Sequence, residues 1–211
     1  VKVVLFGTGF VGSVVARELS IRGHEVTAIA RHPDTDGSLP PFTIAGDVYD
    51  PALVAQATSG ADVVVQALAP IDDHGGLPAS TQILAAAADL ARARLGVVGS
   101  SAILPVTPGG TRSADIPGFP AFLADRVDAH QRTLKLLEGA PTSLDWFYLA
   151  AAGEFGPHAR GTRTGRYRTS TSAQVHDADG NSRIGVDDYA IAFADEIDAP
   201  TAHRAWLTVG Y

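Results

Sequence analysis

The 211-residue sequence contains no cysteine and no methionine. Without a thiol there can be no disulfide, no thiolate metal site and no cysteine nucleophile, so packing and hydrogen bonds alone must hold the fold. Lysine occurs only twice, as Lys2 and Lys135. No apolar run approaches the roughly 18 residues of a membrane span, and no basic leader with an apolar stretch precedes the first strand pattern, so a cytoplasmic location and no membrane partner are expected. The formal net charge of −7 lacks the cationic excess that a general nucleic-acid or anionic-membrane binder needs. The seven histidines show no metal-ligand spacing, and no metal is expected.

What is present is apolar sequence in alternating short and long blocks. With 45% hydrophobic residues, the chain is long enough for one domain with a full core, and residues 1–211 read as one domain. Val1 to Phe6 reads as a strand buried on both faces, Val11 to Ile21 as a helix with Gly23 as its stop, and Val26 to Ala30 as the next strand. The alternation continues with a strand at Phe42 to Ala45, a helix from Asp50-Pro51 to about Thr58, and a strand at Ala61 to Leu68. A helix over Ser80 to Arg94, a strand over Leu95 to Gly99, a helix over Ala121 to Leu137 and a strand over Leu144 to Leu149 follow. A helix from Val186 to Ile197 and a strand from Ala205 to Val209 close the series. Such a βαβα order predicts an α/β, Rossmann-like doubly wound parallel sheet with helices on both faces. The Gly- and Pro-rich segments around 105–120 and 153–185 read as substrate-side loops.

The candidate site begins where the first strand ends. Gly7-Thr8-Gly9-Phe10-Val11-Gly12 fits G-x-G-x-x-G between a predicted strand and a predicted helix. Gly7 permits the tight turn, Gly9 lets backbone N–H groups approach a pyrophosphate, and Gly12 lets the helix pack on the strand. After the second strand the chain reads Ala30-Arg31-His32, with no carboxylate for a ribose 2′-hydroxyl. Arg31 would instead pair with a 2′-phosphate, which favours NADP(H) over NAD(H). Asp47, with Val48 beside it, is a candidate for the adenine amino group or an ordinary turn carboxylate next to Gly46. Ala67, Leu68 and Ala69 end the fourth strand on the same sheet edge and complete the cofactor set, together with Ser100 after the fifth.

These features resemble the short-chain dehydrogenase/reductase superfamily, yet its Tyr-x-x-x-Lys pair is missing, since no tyrosine lies four residues before Lys2 or Lys135. Gly7 to Gly12, Gly46-Asp47-Val48, Val98-Gly99-Ser100-Ser101, Thr164-Gly165-Arg166-Tyr167 and Asp177 to Ile184 resemble a compact atypical group, the NADH-flavin reductase-like proteins. These are similar to the biliverdin/flavin reductase type and to NmrA-like proteins. The resemblance covers essentially the whole chain. It departs at Gly9, where the group more often reads Gly-Ala-Thr-Gly, and at Ala150-Ala151-Ala152, where a Ser-Pro is common. It implies that Ser101 lies beside the nicotinamide, and that Asp128-x-His130-x-Arg132-x-x-Lys135 matches a reductase helix in frame. His130 could then relay or donate a proton near neutral pH.

Two further segments have a functional and a plain reading. His158, Arg160, Arg163, Arg166 and Arg168 could hold an anionic acceptor such as a flavin phosphate, or form a solvated loop. Asp177, Asp179 and Asn181 alternate like a calcium loop, but Gly180 is misplaced and the twelfth-position glutamate is absent, so a turn is expected. The function expected is an NADPH-dependent reductase of a flavin, quinone or similar conjugated small-molecule acceptor, with flavin as substrate. The alternative is a non-catalytic NmrA-like NADP(H) sensor.

Overall fold

A computed structural model describes residues 1–33 and 42–211. Among the described residues, eight strands form one sheet: β1 (Lys2–Phe6), β2 (Glu25–Ala30), β3 (Thr43–Ala45), β4 (Val63–Gln66), β5 (Arg94–Ser100), β6 (Trp146–Ala151), β7 (Arg168–Ser170) and β8 (Ala205–Gly210). Five helices connect them: α1 (Gly12–Ile21), α2 (Pro51–Thr58), α3 (Gly76–Ala91), α4 (Ala124–Glu138) and α5 (Val186–Asp198). The spatial order is β3-β2-β1-β4-β5-β6-β8-β7, and only the β7–β8 pairing is antiparallel. β1 lies between β2 and β4, pairing Val3 with Val26 on one side and Val63 on the other. The chain therefore reverses its winding at β1, and ligands in such sheets bind outside the strand ends at that point.

Side-chain alternation divides the core in two. Val3, Leu5, Val63, Val65, Phe147 and Leu149 face α1 and α5, whereas Val4, Phe6, Val64, Trp146 and Tyr148 face α2, α3 and α4. Strands covered on both faces favour near-continuous apolar runs, such as residues 3–6 and 63–65. Strand β5 is thinned where β6 is bulky. A Cβ at Gly96 would come within 2.6 Å of the Phe147 ring, and Gly99 leaves its space to the Tyr148 ring on the opposite face.

Several boundaries differ from the expected ones for local reasons. Helix α3 starts at Gly76 rather than Ser80, because Pro78 sits in its first turn, where a missing N–H costs nothing. It ends at Ala91, with Arg92 left-handed at φ 57°, so Arg94 opens β5 instead of closing the helix. The helix expected from Ala121 begins as a 3-10 turn over Ala121–Leu123. Strand β6 sits two residues further on than expected, covering Trp146–Ala151. The short, mostly exposed β7 lies at the end of a segment taken for loop.

Helix α1 is tied to both α5 and the Arg-rich loop through a buried carboxylate. Glu18 is only 4% exposed. Its Oε2 lies 2.7 Å from Arg163 Nη1 and its Oε1 3.0 Å from Arg22 Nε, while Arg22 Nη1 reaches Asp195 at 2.6 Å and Asp198 at 2.8 Å. Arg163 is thus a structural partner, not a free anion receptor. The Arg163 hydrogen bond, with those from Arg22, outweighs burial and holds the Glu18 carboxyl below its ordinary range. A depressed folded-state pKa stabilises fully above the unfolded value and is lost as pH falls through the folded one. Glu18→Gln is expected to cost roughly 1–3 kcal/mol at pH 7 and to flatten the acid limb of stability. Urea denaturation at neutral and acidic pH checks this, and an unchanged acid slope would remove Glu18 as its source.

Candidate functional site

The turn after β1 is set by three glycines with different duties. Gly7 adopts φ +100°, and a Cβ there would run into the Ala67 carbonyl of the neighbouring strand. Its N–H donates to the Ile29 carbonyl at 2.9 Å, and the Ala67 N–H donates to the Phe6 carbonyl at 2.8 Å. A Cβ at Gly12 would overlap the Gly7 carbonyl oxygen, so the helix can start only if that residue is glycine. Gly9 is different, because a Cβ there meets no protein atom within 4 Å. Its own packing does not require glycine, whereas a group lying on the turn would.

Helix α1 leaves its first turn open to an anion. Val11 is its N-cap and provides no side-chain acceptor, and the first turn holds no acidic residue. The Ser13 and Val14 N–H groups donate to the Gly9 and Val11 carbonyls, and the positive end of the helix dipole faces the turn with no acidic side chain in the first turn to offset it. Beside it lies a cleft of about 280 Å³ lined by Gly7, Thr8 and Gly9 from the turn, Arg31 and His32 after β2, Asp47 and Val48 after β3, and Ala67, Leu68 and Ala69 after β4. These residues come from four strand ends yet share one wall. The turn, its open helix end and the space above Gly9 fit a dinucleotide pyrophosphate. The other candidates lie outside that lining. Phe10 packs edge-on against Phe155 at 6.1 Å, with the Arg160 guanidinium 6.0 Å from its ring, and Val11 and Gly12 form the helix start.

Asp47 is a turn carboxylate that also lines the cleft, its Oδ1 accepting the Tyr49 N–H at 3.0 Å. Tyr49 and Asp72 line the cleft as well and were not found by sequence reasoning. An aromatic beside a helix cap looks like core, and the Asp72-Asp73-His74-Gly75-Gly76 run looks like any turn.

Ser100 and Ser101 stand at the carboxyl end of β5, on the other side of β4 from the Gly-rich turn. Ser100 Oγ accepts the Ala102 N–H at 3.3 Å, a capping role. Ser101 is 3% exposed, and its carbonyl accepts Gln174 Nε2 at 2.7 Å. His130 is buried in α4, and desolvation, with a smaller push from Arg126, lowers its pKa to about 4. It is therefore neutral near pH 7, and the residue expected to relay or donate a proton is a buried ring paired with Tyr148. The Tyr148 hydroxyl lies 2.9 Å from His130 Nδ1 and accepts the Ser100 N–H at 2.9 Å, so the phenol donates to the imidazole and receives from the backbone. Arg132 and Lys135, from the same helix, line a separate groove of about 480 Å³ between α3 and α4 that holds none of the cofactor candidates.

The segments that carry the family resemblance most specifically prove to be anchors. The Asp188 carboxylate accepts Thr164 N–H at 3.0 Å, Thr164 Oγ1 at 2.7 Å, Gly165 N–H at 2.8 Å and the Tyr211 hydroxyl at 2.7 Å. Tyr167 donates to Asp195. Asp177 Oδ1 accepts the N–H groups of Asp179 and Asn181 at 3.0 and 2.9 Å, which makes this segment the expected turn. Arg168 donates to the carbonyls of His176 and Tyr211, so it too serves structure.

The two glycines give separable outcomes. Gly9→Ala is expected to leave the melting temperature unchanged while weakening reduced nicotinamide binding by roughly tenfold or more, since the new methyl enters only the ligand's space. Gly12→Ala is expected to cost about 1–3 kcal/mol of stability by overpacking. Thermal melts and coenzyme fluorescence titration distinguish them, and a Gly9→Ala variant that binds like the parent would mean that the space is not ligand space.

Comparison with known proteins agrees with this geometry. A family model described as NAD(P)H-binding matches residues 7–196. The protein YwnB of Bacillus subtilis is 32% identical over 209 residues, covering 98% of this chain and 96% of YwnB. A crystal structure of a "putative exported protein" from Burkholderia pseudomallei shares 36% identity with a TM-score of 0.87, covering 100% of this chain and 99% of that one. Another, of a "putative NADH-flavin reductase" from Streptococcus pneumoniae, shares 26% identity with a TM-score of 0.87, covering 99% and 98%. With its Gly-rich turn at the winding reversal and this match along nearly its whole length, the chain belongs to the NAD(P)H-binding family.

Proposed function

We propose that the protein is an NADPH-dependent reductase that delivers hydride to a flavin, quinone or similar conjugated acceptor. The observation that carries the coenzyme choice is the position of Arg31 and His32 in the same cleft as the Gly-rich turn. A guanidinium at that strand end favours a 2′-phosphate, and a carboxylate that would repel it is missing from Ala30-Arg31-His32. The coenzyme, when bound, supplies the hydride. The chain supplies the rest: amides of the turn hold the pyrophosphate, Arg31 holds the 2′-phosphate, Asp47 faces the adenine, and the β5 edge at Ser101 borders the reacting end.

The acceptor class follows from what the chain does not offer. Tyr-x-x-x-Lys is absent, and His130 is buried and neutral, so neither can deliver a proton to a simple carbonyl. A conjugated acceptor takes hydride into its ring system and draws its proton from water or a weak acid, so it tolerates such a site. Dependence on a supply of reduced nicotinamide favours the cytoplasm as the place of work. The burial of both Ser101 and His130 equally favours a second reading, a sensor that binds NADP(H) without turnover.

Purified protein mixed with NADPH and FMN, riboflavin or quinones is expected to oxidise the coenzyme in an acceptor-dependent manner. Binding without oxidation across the panel would favour the sensor. Arg31→Asp is expected to weaken NADPH by roughly 10- to 100-fold, the worth of a charge-assisted hydrogen bond, while NADH changes little. Calorimetry with both coenzymes checks it, and equal losses would mean that Arg31 does not read the phosphate.

A further inference from the structure

Two residues outside the predicted site also line the cleft. Tyr49 belongs to the turn between β3 and α2, and Asp72 to the turn between β4 and α3, and both line the cleft with Asp47. These turns belong to strands separated by β2 and β1 in the sheet. They meet because the Tyr49 hydroxyl lies 2.9 Å from Asp72 Oδ2 and 3.3 Å from the Gly76 carbonyl. Asp72 is itself held, since its Oδ1 accepts the N–H groups of His74 at 2.8 Å and Gly76 at 2.7 Å. The Leu77 N–H closes on the Pro70 carbonyl at 3.0 Å, and the His74 ring packs 4.8 Å from the Tyr49 ring. The hydroxyl thus bonds to a carboxylate whose position the backbone fixes.

The protonation of the pair is equally fixed. Burial pushes Asp72 up, but the amides of Gly76 and His74 and the Tyr49 hydroxyl outweigh it and hold the carboxyl below its ordinary range. Burial and the Asp72 charge push the phenol well above its ordinary value. The hydroxyl remains a donor, and the bond does not titrate near neutrality.

We propose that Tyr49, held by Asp72, is a positioning residue for the adenosine half of the coenzyme: the bond ties the turn after β3 to the turn after β4 and sets the width of the end that Asp47 and Val48 face. The inference rests on the coenzyme reading above. Its location fixes which half of the ligand feels it. Arg31 and Asp47 mark the β2–β3 end of the edge, and Ser101 marks the β5 end beyond β4. A device spanning the turns after β3 and β4 acts on the nucleoside part and not on the hydride donor. It also differs from Arg31 in kind, because adenosine is common to NADH and NADPH.

The test compares reduced coenzymes that share or lack adenosine. Tyr49→Phe removes only the hydroxyl. It is expected to weaken NADPH and NADH by the same factor, about three- to tenfold, the worth of one hydrogen bond, in fluorescence titration. The ratio of the two affinities, the affinity for reduced nicotinamide mononucleotide and kcat at saturating NADPH should all stay at parental values. Asp72→Asn, which keeps an acceptor, is expected to retain more affinity than Asp72→Ala, and adding Tyr49→Phe to Asp72→Ala should cost little more. Thermal melts establish that each variant is folded, and Asp72→Asn carries the test if Tyr49→Phe is not. Unchanged affinity in Tyr49→Phe, a loss confined to NADPH, or an equal loss for the mononucleotide would each overturn the proposal. A parent protein that binds none of the three overturns the coenzyme reading itself and is recognised before any variant is made.

Discussion

Everything at the site depends on how closely the backbone of the first turn approaches the backbone beside it. Gly7 lies against the Ala67 carbonyl, and Gly12 against the Gly7 carbonyl, with the Ala67 methyl close by, so strand β1, strand β4 and helix α1 meet at close backbone range. That contact aims the open end of α1 along the sheet edge. It also places the turns after β2, β3 and β4 around one cleft, because β1 is the strand at which the winding reverses. A larger residue at either position would tilt the helix and scatter those turns.

The polar groups inside the fold follow the same economy. Tyr148 reaches beneath β5 only because Gly99 has no side chain, and its hydroxyl then serves an edge amide on one side and an imidazole on the other. Arg94 joins Asp145 and Glu196 at 3.0 and 2.6 Å, at the opposite end of β5 from Ser100 and Ser101. Buried polar atoms placed in pairs cost little and define one register, whereas unpaired they would oppose folding. The side chains of β5 and β6 are thus chosen together.

The sequence was most legible where one physical pattern was at work. Strands β1, β2, β4 and β5 are apolar along most of their length because both faces are covered, and the Gly-rich turn is recognisable because its glycines, two of them in close backbone approaches, stand at fixed spacing. Strand β7 was missed because three largely exposed polar residues carry no burial signal. The arginine-rich loop was open to reading as an anion site or a solvated loop because Glu18, the partner of Arg163, is 145 residues away in the chain. His130 kept its place in the reading but not its role, since burial depends on which face of α4 meets the sheet. Tyr49 and Asp72 gave no signal, as their meaning lies in a contact between two turns.

The salt link from Arg163 to Glu18 reaches further than packing. Glu18 sits on the helix that begins at the Gly-rich turn, while Arg163 belongs to the loop between β6 and β7. Lifting that loop away would strip one of two guanidinium partners from an interior carboxylate, so the placement of the loop and that of the helix are tied together.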